Sequence, residues 1–232
     1  MTKLKRLLAP KDWRIARKKF KWTVSPSPGP HSKFEYAPLQ IIVRDILHFA
    51  ETGKEAKIII KKGEVLVDGK PRKDHAYPVG LFDVVSVPKI KEIYRVVPTS
   101  SGLDLVKIDE KESNLKICRI NDKKTLKDGK IQLNLNDGKN LLVAGGKYKT
   151  GDSLLIEIPS LKIVEHIPME KGCTGIVVKG KNSGMMCVVD KVYEGLFKKQ
   201  AKVLCNVNKE KLEILRDHLF VVGKDKPLIT VS

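Results

Sequence analysis

The chain has 232 residues, enough for two or three small domains, and a formal net charge of +18 at pH 7. So large an excess of cations raises the local concentration of polyanions, and we expect a nucleic acid or an anionic membrane surface as partner. No apolar run reaches the ~18 residues that a membrane-spanning helix needs, and Leu7-Leu8-Ala9 is too short for the core of a secretory signal. We therefore expect neither a membrane-spanning nor a secreted protein.

The cysteines indicate neither a metal site nor a disulfide framework. They are Cys118, Cys173, Cys187 and Cys205, and they form no Cys-x-x-Cys pair. The histidines are not paired either, so we expect no zinc and no cofactor. Scattered cysteines of this kind are typical of reduced, buried thiols in a cytoplasmic protein.

The first predicted element is a basic arm, which we place at residues 1–37. Residues 1–33 contain ten Lys or Arg and one acid, Asp12, without the apolar periodicity of a core. The Pro-rich stretch Ser25–His31 predicts a stiff, extended chain. We expect the arm to be disordered alone and to become ordered on RNA; the alternative is a tail that only aids solubility or localisation. The expected RNA contacts are Lys5, Arg6, Trp13, Arg14, Arg17, Lys18, Lys19 and Lys21.

The second element, residues 38–88, predicts two helices followed by a hairpin. Apolar residues recur at helical spacing from Leu39 to Ala50, and Pro38 suits the first turn of a helix. A basic helix follows from Lys54 to Lys62 and ends at Gly63. Asp68-Gly69 is a strong hairpin signal, and Asp83–Val87 predicts a further strand.

This succession, with Gly-Glu-Val-Leu-Val-Asp-Gly-Lys at Gly63–Lys70, resembles the alpha-L motif, a small RNA-binding module. The resemblance implies that the basic helix and the adjoining hairpin contact structured RNA. The residues that would do so are Arg44, Lys54, Lys57, Lys61, Lys62, Lys70, Arg72 and Lys73. Lys54, Lys57 and Lys61 fall at i, i+3 and i+7, so one helix face can present them together. The alternative is a solvated helix face beside a core hairpin.

Net charge cannot explain RNA binding by this module. Residues 34–88 contain eight cations and eight anions, so a basic surface requires that the two signs be segregated. We predict one exposed basic surface above a core of Ile42, Ile46, Ile58 and Val67. The residues of that surface are Lys54, Lys57, Lys61, Lys70 and Arg72.

Residues 89–168 predict a small β-barrel or sandwich. Leu115–Ile120, Ile131–Leu135, Leu141–Val143 and Ser153–Ile158 predict short strands, with Gly-containing turns between them. No long helix is expected here.

The last element, residues 169–232, contains a stretch that resembles the KOW motif, a strand–loop–strand part of a small SH3-like β-barrel. The matching positions are Gly172, Val177, Gly180, Lys181, Asn182 and Gly184. Gly180 and Gly184 suit a tight loop with positive φ that brings backbone N–H groups and a lysine to a phosphate. The resemblance implies RNA contacts at Lys179, Lys181 and Asn182; Met185-Met186 departs from the motif.

Signals for catalysis are weak. Gly175–Asn182 lacks the Ser or Thr that ends a phosphate-binding P-loop, and a β pattern follows it where a helix is needed. The five histidines lie far apart, without a neighbouring nucleophile. We therefore expect no enzyme, no catalytic residue and no small-molecule substrate.

The order of the parts is similar, over nearly the full length, to the family of small-subunit ribosomal protein four of the archaeal and eukaryotic type. Besides the two motifs, the resemblance includes Lys5–Trp13, Ser25–His31, Gln132–Gly138, Tyr148–Asp152 and Phe220–Gly223. It implies an α+β, mostly β, multi-domain protein with an arm, an alpha-L module, a central β domain and a C-terminal SH3-like KOW barrel.

The family resemblance implies a structural constituent of the small ribosomal subunit in the cytoplasm. Its partners would be 16S/18S-type ribosomal RNA and neighbouring small-subunit proteins, with no membrane. The short C-terminus favours an archaeal source. The alternative is a free transcription-elongation or RNA-processing factor that uses the KOW barrel.

Overall fold

The structure is a computed structural model that describes residues 4–32, 35–195, 200–207 and 210–231. The described chain divides into two compact units. The first contains the residues up to Val97 together with Ser101–Asn114, and the second contains Pro98–Ser100 and Leu115–Val231. Over the described chain as a whole strands predominate over helices, as the sequence predicted.

The first unit begins with a two-stranded antiparallel ribbon, β1 (Leu4–Lys5) and β2 (Trp22–Thr23). A 3₁₀ turn, Arg6–Leu8, follows β1. Strand β3 (Tyr36–Pro38) then leads directly into the first helix.

The first helix is shorter than predicted. One α-helical turn, α1 (Leu39–Ile41), continues as a π-helical segment, Ile42–Ile46, in which Leu47 N–H donates to Ile42 O at 2.9 Å. His48 then takes a positive φ of 55° and ends the helix, so the predicted extension to Ala50 is wrong. The apolar sequence pattern extends beyond the end of the helix. Phe49 is half-buried and Ala50 is buried, although their backbone is not helical.

The second helix, α2 (Gly53–Lys61), matches its prediction closely. Thr52 caps it: Thr52 Oγ1 accepts a hydrogen bond from Glu55 N at 3.2 Å, and Glu55 Oε2 accepts one from Thr52 N at 3.3 Å. This reciprocal capping satisfies two backbone donors that would otherwise lack partners. Hydrogen bonds from the backbone and side chain of Thr52 hold the pKa of Glu55 below its usual value.

Short strands complete the first unit. Its five-stranded sheet has the order β5-β4-β7-β8-β9, and β6 (Pro78–Gly80) pairs with β3. The sheet strands are β4 (Leu66–Val67), β5 (Lys70–Pro71), β7 (Val84–Val87), β8 (Glu92–Thr99) and β9 (Gly102–Lys107). Asp68 and Gly69 both have positive φ, 50° and 72°, so they make the predicted tight turn between β4 and β5. A 3₁₀ turn, Glu110–Glu112, follows β9.

The second unit contains two five-stranded antiparallel sheets. The first has the order β12-β11-β10-β13-β14. Its strands are β10 (Leu115–Thr125), β11 (Ile131–Leu135), β12 (Asn140–Val143), β13 (Ser153–Glu157) and β14 (Lys162–Ile167). A 3₁₀ turn, Lys127–Gly129, links β10 to β11. Alternate residues of β11, Leu133 and Leu135, enter its core, which confirms the predicted alternation.

The second sheet of this unit has the order β18-β17-β16-β15-β19. Its strands are β15 (Thr174–Val177), β16 (Met186–Tyr193), β17 (Lys202–Val207), β18 (Glu210–Leu215) and β19 (Leu219–Gly223). A 3₁₀ turn, Arg216–His218, joins β18 to β19. Val203, Cys205 and Val207 alternate into a core that Cys187 and Val189 share. All four cysteines are free and buried.

Candidate nucleic-acid interface

The outer face of α2 presents cations together. Lys54, Lys57 and Lys61 are all exposed, while Ala56 and Ile60 are fully buried on the opposite side. The burial of Ala56 and Ile60 fixes the rotation of α2 about its axis. The lysine face, defined as Lys54, Lys57 and Lys61, is therefore directed to solvent.

The prediction of which residues form the core beneath the lysine face is partly wrong. Ile42 and Val67 are buried as predicted and Ile46 is half-buried, but Ile58 is 46% exposed. Ile58 is one residue from Lys57 and three from Lys61, so on a helix it belongs with them. The apolar contribution of α2 to the core comes from Ala56 and Ile60.

The hairpin after α2 places more cations near the end of the helix. Lys62, Lys70 and Lys73 are exposed. The position of a Cβ on Gly63 would lie 3.7 Å from Lys73 Cε, so the Lys73 side chain lies against the C-terminus of α2. Arg72, which was predicted to be exposed with these lysines, is half-buried instead, because its guanidinium stacks 4.3 Å above the ring of Tyr77.

The pKa of His75 responds to the positive charge of this surface. Burial is the main reason that the pKa of His75 lies below its usual value, and Lys57 and Lys61 lower it further. Asp74, whose Oδ1 lies 3.6 Å from His75 Nδ1, acts in the opposite direction. Lys57 and Lys61 of α2 are therefore close enough to the hairpin residue His75 to lower its pKa electrostatically.

Arg44 differs from the other predicted contacts in this module. It is half-buried, and its Nη2 and Nε donate to Asp45 Oδ2 at 2.7 and 3.1 Å. Asp45 thus balances its charge within the unit. Arg44 contributes less to a basic surface than the exposed lysines do.

The arm is packed, contrary to the expectation of disorder. Trp13 is 3% exposed, and its indole Nε1 donates to Tyr36 O at 2.6 Å. Leu103 N donates to Asp12 O at 3.0 Å, which joins the arm to β9. Trp13 is therefore a core residue and not the exposed stacking surface that its cationic neighbours suggested.

Two of the predicted arginine contacts also serve the packing of the arm. Arg6 is 2% exposed; its Nε donates to Ala16 O at 2.7 Å, and its Nη2 lies 3.4 Å from Asp45 Oδ1. Arg17 donates to Ala9 O and Pro10 O, each at 2.6 Å. Both guanidiniums satisfy backbone carbonyls, so the expectation that Arg6 is an accessible RNA contact is wrong.

His31 anchors the far end of the arm. Its Nε2 lies 2.8 Å from Asp83 Oδ2, and both side chains are buried. Gly80 N also donates to this oxygen at 2.9 Å. The Pro-rich segment is therefore held by a buried polar contact.

Exposed cations and aromatic rings remain on the arm surface. Lys5, Arg14, Lys18, Lys19 and Lys21 are exposed, although Arg14 forms an ion pair with Asp104. Phe20 is 58% exposed with Lys19 Nζ 5.7 Å from its ring, and the ring of Trp22 has Lys21 Nζ at 5.4 Å. This surface can offer both charge and stacking to a nucleic acid.

The loop of the KOW-like stretch has the predicted geometry. It joins β15 to β16, and Gly180 and Gly184 have φ values of 96° and 85°. Val177 N donates to Met185 O at 3.0 Å, and Gly184 N donates to Val177 O at 2.8 Å, which closes the loop. Lys179 and Lys181 are exposed and Asn182 is half-buried.

A further basic cluster was not predicted from the sequence. Arg119 on β10 and Arg216 after β18 line one cleft with Lys179. Arg119 and Arg216 are 97 residues apart in sequence. Neither lies in a recognisable motif, so only the tertiary arrangement of the strands brings them together.

No metal or membrane site is found in the parts of the chain that the structure describes. There, no three His, Cys, Asp or Glu side chains are grouped so that they could hold a metal ion. None of the described helices is long and apolar enough to cross a bilayer.

Comparisons with known proteins match the chain from its arm to its second unit. Three family models match in sequence order: the RS4NT domain at residues 2–34, the S4 domain at residues 38–85, and ribosomal family S4e at residues 90–163.

Full-length relatives and a solved structure agree with these matches. The small ribosomal subunit protein eS4 of Methanothermobacter thermautotrophicus is 43% identical over 98% of this chain and 95% of its own length. That of Archaeoglobus fulgidus is 44% identical over 98% of this chain and 97% of its own. The crystal structure of the 30S ribosomal protein S4e from Thermoplasma acidophilum superposes with a TM-score of 0.72 at 27% identity, covering 82% of this chain and 96% of that one. The chain therefore belongs to the ribosomal S4e family.

Proposed function

We propose that this protein is a structural constituent of the small ribosomal subunit, where it binds 16S/18S-type ribosomal RNA and supports subunit assembly and translation. The observation that carries the proposal is the exposed lysine face of α2, which lies within the region that matches the S4 domain. The protein acts in the cytoplasm, within the ribosome, with other small-subunit proteins as neighbours. It acts by binding and not by catalysis.

Each part of the chain that the sequence motifs define has its own role in the proposed function. The arm at residues 1–37 and the alpha-L module at residues 38–88 supply the first RNA surface. The central β domain at residues 89–168 leads to an SH3-like KOW barrel at residues 169–232, whose loop supplies Lys179, Lys181 and Asn182. Support for the KOW assignment comes from the closed loop with its two positive-φ glycines.

The basic surface on the first unit combines the lysine face of α2 with the hairpin cations. Segregation of charge makes it possible: Glu55 is engaged in the helix cap and Asp45 with arginines. The residues we propose for RNA contact here are Lys54, Lys57, Lys61, Lys62, Lys70, Arg72 and Lys73, with Lys5, Arg14, Lys18, Lys19 and Lys21 on the arm.

Charge reversal on α2 tests this surface. Lys57→Glu with Lys61→Glu should weaken binding to small-subunit ribosomal RNA and lower the log–log salt slope by roughly 1.4–1.8, because each lysine neutralises about one phosphate at ~0.7–0.9 per phosphate. The control is Lys107→Glu with Lys111→Glu, two exposed lysines elsewhere in the same unit. Filter binding across a salt series gives both slopes. Equal reductions in the two variants would mean that RNA responds only to total charge.

Association with the ribosome separates the proposal from its alternative. A constituent of the subunit should be present at one copy per small subunit after salt washing, as measured by quantitative mass spectrometry of gradient fractions. A free transcription-elongation or RNA-processing factor would be found in the light fractions at far lower abundance.

A further inference from the structure

The second unit contains a cleft of about 330 Å³ whose basic groups come from three separate chain segments. Arg119 belongs to β10, Lys179 to the loop after β15, and Arg216 to the 3₁₀ turn after β18. The remaining lining residues are Ile120, Asn121, Gly151 and Asp217. A strand of one sheet and two connections of the other thus meet around a single cavity.

The guanidinium of Arg119 is held in place before any ligand arrives. Its Nη1 donates to Asp217 O at 2.8 Å, and its Nε donates to Asn121 Oδ1 at 3.3 Å. The ring of Phe220, which is buried, lies 5.9 Å from the guanidinium carbon. Fixing a long side chain in this way removes much of the entropy cost of binding an anion.

Arg216 is held through its aliphatic stem. A Cβ on Gly151 would lie 3.6 Å from Arg216 Cδ and 3.8 Å from Arg216 Nε, so the stem lies along the bare backbone of Gly151. Arg216 N donates to Ala201 O at 3.0 Å, which fixes the backbone of the turn. The side chain of Arg216 is half-buried, so its direction into the cleft is set by packing.

Positive charge predominates in the lining of the cleft. Arg119, Lys179 and Arg216 line it with one carboxylate residue, Asp217, which is exposed to solvent. The guanidinium of Arg216 offers planar N–H donors that match the oxygens of a phosphate group, and the other two cations add charge beside it. Among the described residues that line the cleft, one side chain, Ile120, is aliphatic and none is aromatic.

We infer that this cleft binds a backbone phosphate of RNA, independently of the lysine face on α2. The inference rests on the proposed function and adds to the loop residue Lys179 a contact made by Arg119 and Arg216, which no motif identifies. A contact with phosphate is independent of base sequence, so it would fix the position of the second unit on its RNA without reading the sequence.

The test uses the full chain and a set of single substitutions. Arg216→Gln should lower the log–log salt slope for small-subunit ribosomal RNA by ~0.7–0.9, the value for one phosphate that is no longer neutralised. The matched control, Lys162→Gln, removes one exposed cation from β14 of the same unit, and its slope should equal that of the unsubstituted protein. Arg216→Lys should keep the slope because it retains the charge. If Arg216→Gln and Lys162→Gln give the same slope, the cleft does not hold phosphate.

A second measurement separates RNA phosphate from a free anion. The Nε–Hε NMR signals of Arg119 and Arg216 should shift when RNA is added. Millimolar inorganic phosphate should change their chemical shifts only weakly. Shifts that saturate with inorganic phosphate and are not altered by RNA would overturn the inference. Failure of the unsubstituted protein to bind ribosomal RNA would instead overturn the proposed function, and the two failures are therefore distinguishable.

Discussion

The indole of Trp13 joins the basic arm to the body of the first unit. It combines almost complete burial with a hydrogen bond from Nε1 to Tyr36 O at 2.6 Å. Buried tryptophans usually satisfy their N–H in this way, because an unpaired donor in the core is costly. Trp13 therefore stabilises the arm through both packing and polarity.

We predict that Trp13→Ala destabilises the first unit by about 3–5 kcal/mol, the range for removing a large aromatic side chain from a core. Urea unfolding followed by circular dichroism measures the change. Trp22→Ala is the matched control: Trp22 is 43% exposed, so its removal should cost clearly less than the removal of the buried Trp13. If both substitutions cost the same, the arm is not anchored through Trp13.

The pKa of His75 gives a second prediction at the residue scale. Lys57→Gln removes a cation that lowers this pKa, so the pKa should rise towards the ordinary value. Binding of RNA phosphates to the lysine face should raise it as well. NMR titration of the imidazole protons measures both effects, and Lys54→Gln, which is not among the causes of the shift, serves as control.

The sign of the linkage follows from the lowered pKa. Since the folded protein holds the His75 proton less tightly than the unfolded chain does, the stabilisation is present above the ordinary histidine value near ~6.5. It decreases as the pH falls below that value and through the lowered pKa of the folded state. The same reasoning predicts that RNA binding becomes stronger at lower pH, because bound phosphate favours the protonated imidazole. If the affinity for RNA does not depend on pH, either in Lys57→Gln or in the unsubstituted protein, this prediction is wrong.

At the scale of elements, the loop between β15 and β16 depends on two glycines in different surroundings. Gly180 and Gly184 both have positive φ, but nothing lies within 4 Å of a Cβ placed on Gly180. A Cβ on Gly184 would lie 2.8 Å from Thr99 Cα and 3.0 Å from Pro98 O, both backbone atoms.

We therefore predict that Gly184→Ala destabilises the second unit more than Gly180→Ala does. Backbone strain alone should cost about 1–2 kcal/mol at either position, and the contact with rigid backbone adds to it at Gly184. Chemical denaturation of the two variants measures the difference. Equal costs would show that the loop can shift away from residues 98–99 without penalty.

Local sequence signals predicted the elements that depend on local chemistry. The Asp68-Gly69 turn, the start of α2 and the strands β10 to β13 follow from turn residues, helix spacing and alternation, which act over a few residues. The strands β14, β17 and β18 were not predicted. The end of the first helix could not be predicted, because the apolar pattern from Leu39 to Ala50 fits both a continued helix and the observed π segment followed by a left-handed His48.

The candidate site was predictable where one element carries it. Lys54, Lys57 and Lys61 share a face by helical geometry alone. In contrast, the burial of Trp13 and Arg6 and the meeting of Arg119 with Arg216 depend on partners distant in sequence. The burial of Lys116 could not be predicted from the sequence either. Its charge predicts exposure, but it forms a buried ion pair with Asp137 at 3.1 Å.

At the scale of the whole molecule, the charge excess should act through specific surfaces. We predict that replacing Lys18, Lys19 and Lys21 with Gln lowers the salt slope of RNA binding by about two units, at ~0.7 for each phosphate that is no longer neutralised. These residues are exposed, so the unfolding midpoint should hardly change.

A matched triple variant separates position from total charge. Lys124, Lys127 and Lys130 are exposed cations of the second unit, and their replacement with Gln changes the net charge by the same amount. Salt titrations of RNA binding should show a smaller change of slope for this variant. Identical slopes for the two triple variants would mean that the arm has no special role.

The anchoring of the arm also sets an order of events during synthesis. Arg6 and Trp13 leave the ribosome early, but the groups that hold the arm, Tyr36, Asp45 and Asp83, appear later. At ~5–20 residues per second, the roughly fifty residues between the arm and Asp83 take about 3–10 s to be made. During that interval His31 lacks its carboxylate partner Asp83, and polyanions near the ribosome can compete with the rest of the chain for the cationic arm. The pace of translation between the arm and Asp83 therefore decides whether the arm meets its own protein or a nucleic acid first.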